Sequence, residues 1–171
     1  ISKGSYEVEK VCETISPSMD IQIASNFERL LYDLNNGNDI HTVEVMKNIK
    51  ENGKYKINQE KLNVINNDFL SSRMSEEEVI KTINIVYEKY KIVLDPHSAI
   101  GYGAFDKINL DGNNIVLATA HPCKFPDAIK KAINLKADLP EELMFVLNEK
   151  EKFNIIDNNV DKIKKYIKER I

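Results

Sequence analysis

An α/β fold is the class this sequence predicts, and three observations carry it. Short apolar runs alternate with amphipathic stretches of helical period along the whole chain. The amphipathic stretches are announced by start signals, such as Ser75-Glu76-Glu77-Glu78 and Asp95-Pro96. The composition, 42% hydrophobic and 30% charged over 171 residues, is that of an ordinary globular domain. A chain of this size buries roughly 70% of its unfolded surface, so no disulfide or metal staple is required. We expect a single α/β domain over residues 1–171, or such a domain with a small appendage.

The elements follow in order. Residues 7–14, EVEKVCET, alternate weakly and suit a strand running into the turn Ser16-Pro17-Ser18. Ser25-Asn26-Phe27-Glu28 fits a capping box, in which the Ser25 hydroxyl and the Glu28 carboxylate satisfy each other's backbone N–H groups. The helix behind it places Phe27, Leu30, Leu31 and Leu34 on one face and stops at Asn36-Gly37. A second helix starts near Asn38 or Asp39 and ends at Gly53, and a smaller one covers Gln59 to Asn66. Asp68 to Arg73 is a short strand or an extended connection. Ser75 to Glu78 is a second capping box, and its acids suit the positive end of the helix dipole. Val79, Ile80, Ile83, Val86, Tyr87 and Tyr90 then form a helical stripe. After the brief apolar run Ile92–Leu94, Asp95 reads as an N-cap, with Pro96 at the first position of a helix reaching Asn109. Gly101 and Gly103 leave notches in that helix where a backbone or a ligand can approach. Asp111-Gly112 is a tight turn, and Asn114 to Ala118 is a buried-strand candidate. Pro126-Asp127 and Pro140-Glu141 each open a helix, and the segment from Asn158 is helical.

The chemistry-bearing residues are few. The formal net charge of -3 provides no basic surface for nucleic acid or anionic membrane, and no apolar run approaches the ~20 residues of a membrane span. Two distant cysteines, Cys12 and Cys123, suit a reducing cytoplasm better than a disulfide framework. His121 and Cys123 have no second close pair of ligands to complete a zinc site. Pro122 between them opposes the strand geometry that a thiol–imidazole pair needs. No phosphate-binding glycine loop is present. The helix start at Ser25-Asn26, with Arg29 one turn on, suits an anion, although the capping box by itself explains Ser25 and Glu28. Thr119-Ala120-His121-Pro122 lies where a strand passes to a loop, the usual place for ligands in open α/β sheets.

Three stretches occur in order: PSMDIQIASNFERLLYDL from Pro17 to Leu34, DPHSAIG from Asp95 to Gly101, and TAHPCKFP from Thr119 to Pro126. Together they resemble the carboxyl-terminal part of threonine synthase of the long bacterial and fungal type. Residues 40–74 and those after 140 are the least distinctive. The resemblance implies a three-layer helix-sheet-helix architecture, the carboxyl-terminal part of a tryptophan-synthase-β-like enzyme of pyridoxal-phosphate fold type II. It also implies that the full enzyme converts O-phospho-L-homoserine and water to L-threonine and phosphate. Thr119 matches the position whose hydroxyl faces the pyridine nitrogen. Ser25, Asn26 and Arg29, and likewise His121 and Lys124, match motif positions open to substrate or anion binding, with structural roles equally open. Asp95, Pro96 and His97 match a motif with a mainly structural use. Cys123 stands where the family commonly has alanine. The family's Schiff-base lysine and glycine-rich phosphate loop lie in its amino-terminal part, which we expect to be the partner of this chain. The 171 residues alone are therefore expected to be inactive. A phospholyase of altered substrate and a non-catalytic interaction domain on the same scaffold are the alternatives.

Overall fold

A computed structural model describes residues 2–108 and 111–171. The chain divides into two compact units, the first ending at Ala137 and the second running from Asp138 to Ile171.

The first unit begins with a small antiparallel sheet of β1 (Ser5–Glu7) and β2 (Lys54–Lys56), with Tyr6 opposite Tyr55. Around it stand α1 (Ser25–Leu34), α2 (Asp39–Asn52) and α3 (Gln59–Asp68). Leu31, Val45, Met46, Ile49, Ile57, Leu62 and Ile65 form the buried core of this region. Local chemistry sets the helix ends. The Asn38 side chain accepts from the His41 N–H at 2.9 Å and starts α2. Gly53, at φ +68°, ends it by donating its N–H to the Ile49 carbonyl at 2.9 Å. Asn58 caps α3 in the same way as Asn38 caps α2.

The remaining helices of this unit are α4 (Glu76–Tyr90), α5 (Pro96–Ile108) and α6 (Pro126–Ile133). The capping box at the start of α4 is complete: the Glu78 N–H donates to Ser75 Oγ at 3.3 Å and the Ser75 N–H to Glu78 Oε2 at 2.7 Å. Val79, Ile83, Ala99 and Ile129 form a second, separate core. Ion pairs clip its rim, Lys107 to Glu78 at 2.7 Å and Lys131 to Glu76 at 3.1 Å. Of the helix expected from His97 to Asn109, the end at Asn109 lies outside the described residues.

Four local expectations change. Ser25 is the first residue of α1 rather than its N-cap; Ala24 holds the cap position, and the expected capping box does not form. The strand expected over residues 7–14 does not form; β1 ends at Glu7, followed by the Val8 N–H donating to the Gly53 carbonyl at 2.7 Å. Residues 114–118 form no strand, and Ile115 and Leu117 are 88% and 73% exposed. A buried strand needs neighbours on both edges, and the two-stranded sheet of the described residues lies elsewhere in the sequence. Side chains occupy the glycine notches of α5. A Cβ on Gly103 would lie 2.4 Å from the Met74 sulfur, and one on Gly101 would lie 3.3 Å from Val116 Cγ1.

In the second unit, Glu141–Asn148 form a 3-10 helix, and α7 spans Val160–Lys168. The Asn159 side chain starts α7 by accepting from the N–H groups of Asp161 and Lys162, both at 3.1 Å. No helix of the described residues is long and apolar enough to cross a membrane.

Candidate functional site

The start of α5 carries the densest polar cluster of the described core. Asp95, His97 and Ser98 are 1%, 6% and 2% exposed. A carboxylate at an N-cap accepts from the orphan N–H groups of the first helical turn. Asp95 does so, taking the His97 N–H on Oδ1 at 2.9 Å. Proline at the first helical position has no N–H to satisfy, which leaves the carboxylate free for side chains. Its Oδ1 also meets His97 Nδ1 at 3.1 Å, and its Oδ2 accepts from the Ser98 hydroxyl.

The donors and acceptors fix the state of His97. The backbone N–H of Ser18 reaches His97 Nε2 at 3.2 Å. An amide N–H only donates, so Nε2 holds its lone pair. The ring proton is therefore on Nδ1 and is donated to Asp95. The contact is a hydrogen bond of a neutral imidazole rather than an ion pair. Phe125 covers the ring, with centroids 4.9 Å apart and planes tilted by 53°. On the other arm, the Thr119 N–H donates to Ser98 Oγ at 3.1 Å. One buried carboxylate thus ties together parts of all three motif stretches: Ser18, Asp95–Ser98, and Thr119 with Phe125. Sequence reasoning found Asp95 as a cap but missed Ser98 and Phe125. A legible signal was a serine at the third helical position behind an aspartate cap, within reach of its carboxylate.

The expected site residues fall into two groups. Thr119 is exposed, anchored through its backbone N–H. His121 is also exposed, and its Nδ1 accepts from the Cys123 N–H at 3.2 Å, starting the 3-10 turn Pro122–Lys124. The imidazole is engaged by the backbone of Cys123, which accounts for His121 as a turn-former. Cys123 and Cys12 are both free. Lys124 is exposed and lines, with Pro17, Phe125 and Asp127, a shallow groove of about 270 Å³. Ser25, Asn26 and Arg29 form the second group, exposed on α1. Arg29 donates to Asn26 Oδ1, and a groove of about 430 Å³ beside it is lined by Ser25 and Arg29 but also by Glu28 and Asp39. Among the described residues no hydrogen bond or ion pair joins this group to Thr119, His121 or Lys124. No cluster of three potential metal ligands gathers among the described residues.

The family model described as threonine synthase, C-terminal, matches residues 98–167. The threonine synthase of Saccharomyces cerevisiae is 36% identical, with all of this chain and 38% of the yeast protein aligned. That of Pseudomonas aeruginosa is 34% identical over 98% of this chain and 36% of its own length. The crystal structure of pyridoxal-phosphate-bound threonine synthase from Brucella melitensis superposes with a TM-score of 0.81 at 38% identity, over 98% of this chain and 36% of that one. The fold is therefore the α/β fold of the type II pyridoxal-phosphate enzymes, of which this chain contributes mainly helices. The chain belongs to the threonine synthase family and matches its carboxyl-terminal part. It spans somewhat over a third of the length of these relatives.

Proposed function

We propose that the whole protein converts O-phospho-L-homoserine and water to L-threonine and phosphate with pyridoxal phosphate, and that these residues supply the wall bearing Thr119. The observation carrying this is the anchoring of Thr119, an exposed hydroxyl residue whose backbone is tied to buried Ser98. The donor set fits the cofactor. A hydroxyl both donates and accepts, so it pairs with a pyridine nitrogen without dictating whether that nitrogen carries a proton. Bound there, the cofactor supplies an electron sink for carbanion chemistry. Thr119 holds the ring nitrogen, and His121 holds the turn that follows it. Lys124, together with Ser25, Asn26 and Arg29, is the cationic and N–H complement for anionic groups. At α1 the cap residue Ala24 has no side-chain acceptor and its carbonyl takes the Phe27 N–H at 3.1 Å, which leaves the N–H groups of Ser25 and Asn26 for such a group. The family resemblance assigns the cofactor-bearing lysine and the phosphate loop to the amino-terminal part. We infer that the 171 residues alone hold pyridoxal phosphate weakly and do not turn over.

Thr119→Val in the whole protein tests the assignment. We expect an altered cofactor absorbance spectrum and turnover lowered roughly ten-fold, the scale of one hydrogen bond to a reacting system, with the fold kept. A native spectrum with native turnover sinks the role of Thr119. Threonine as the product, rather than 2-oxobutyrate and ammonia, separates the proposed synthase from a phospholyase of altered substrate.

A further inference from the structure

We propose that Ser98, oriented by the buried carboxylate of Asp95, is a positioning residue that sets where Thr119 presents its hydroxyl; this rests on the role of Thr119 given above. A serine hydroxyl has one proton and accepts through its lone pairs. The Asp95 carboxylate only accepts, and it takes the Ser98 proton on Oδ2 while Oδ1 takes the His97 N–H and Nδ1–H. With its proton committed, Ser98 is left as an acceptor, and the Thr119 N–H fills that role at 3.1 Å. The carboxylate thereby fixes the polarity of the whole chain of bonds. An amide in its place would offer one acceptor and one donor, so either Ser98 or His97 would face a donor instead of an acceptor.

The anchor matters because little else among the described residues holds this stretch. From Ile115 to Ala120, the only hydrogen bond to another described element is that from Thr119 to Ser98. The second attachment is steric: Val116 fits against Gly101, where an added Cβ would come within 3.3 Å. Ser98 and Gly101 are three apart on a helix and share a face. The stretch is thus pinned at Val116 and at Thr119 to one face of α5. Ser98 is itself buried, 2% exposed. Its influence on the cofactor passes through Thr119.

The test uses the whole protein loaded with pyridoxal phosphate. Ser98→Ala should shift the cofactor absorbance in the same direction as Thr119→Val and weaken cofactor binding about five-fold, the loss of one net hydrogen bond. The amide of Thr119 should exchange faster in Ser98→Ala, with or without cofactor. The double variant Ser98→Ala/Thr119→Val should show the spectrum of Thr119→Val alone, since both act through one hydroxyl. A native spectrum and affinity in Ser98→Ala, beside an altered spectrum in Thr119→Val, overturns the positioning role and leaves Thr119 in place. A native spectrum in Thr119→Val removes the role of Thr119 and this inference with it. A double variant shifted well beyond Thr119→Val also overturns it. If Ser98→Ala fails to fold, Ser98→Cys keeps the size but offers a poor acceptor and is judged by the same outcomes.

Discussion

The first compact unit contains two cores built on different principles. Around α1, α2 and α3 the core is a set of seven buried apolar residues, from Leu31 to Ile65. Its buried polar side chain is Thr42, whose hydroxyl bonds locally to the Asn38 carbonyl at 2.8 Å. Around α4, α5 and α6 the clustered core is Val79, Ile83, Ala99 and Ile129, with Val86 and Ala128 also buried, and Asp95, His97 and Ser98 are buried in the same region. Apolar burial is non-directional and contributes about 1.5–3 kcal/mol for each large side chain. A hydrogen bond contributes less, about 1 kcal/mol net, but acts between particular atoms in one geometry. The first region is held in shape by area. The second is held in register by atoms, with two loops attached at Ser18 and Thr119. The residues proposed to meet the cofactor belong to the region built for register.

Three perturbations sharpen or break this contrast. Asp95→Ala should have the largest effect, about 4 kcal/mol, because it strands the His97 N–H, the His97 Nδ1–H and the Ser98 hydroxyl without an acceptor. Urea unfolding gives the magnitude. Amide exchange gives the location, with protection lost first at the start of α5 and around Thr119. Ile49→Ala should cost about 3 kcal/mol through the cavity it leaves in the apolar core, with exchange quickened in α1 to α3 instead. Should both variants loosen the same amides, the two cores are one cooperative unit and the contrast fails.

The smallest effect concerns the rim of the second region. The bond from Lys107, followed by the Ser75 N–H, holds the Glu78 carboxyl below its ordinary value. A depressed carboxyl contributes stability above its unfolded-state value and loses it as the pH falls through the folded-state value. Glu78→Gln should therefore lower the melting temperature slightly at neutral pH and not at all at the acid end. Equal loss at both ends would show that the carboxylate charge contributes nothing there. The effect should also shrink in salt, since the group is exposed.

Legibility in the sequence followed the range of the interaction. The Ser75 capping box, the Gly53 stop and the Asp95-Pro96 start each depend on residues within one helical turn, and each is in place. Ser25 shows the limit of such patterns. Ser25 and Glu28 have the right spacing for a box, yet the chain enters α1 one residue earlier and Ala24 takes the cap. The apolar run at Asn114–Ala118 reads as a buried strand but forms none and is exposed, because pairing depends on strands far away in sequence. The motifs pointed to Thr119, while the partner that anchors it, Ser98, passed unnoticed as part of a helix start.

What the sequence by itself determined is the helices, most of their starts and stops, and the family to which the three motif stretches belong. These rest on contacts between near neighbours or on the identity and order of residues. Only the tertiary structure decided that Ser18, Asp95, His97, Ser98 and Thr119 meet, that the His97 proton is on Nδ1, and that the Ser98 proton points to Asp95. Those outcomes depend on donors and acceptors separated by 79 and 21 residues, and no local pattern encodes a bond across such distances.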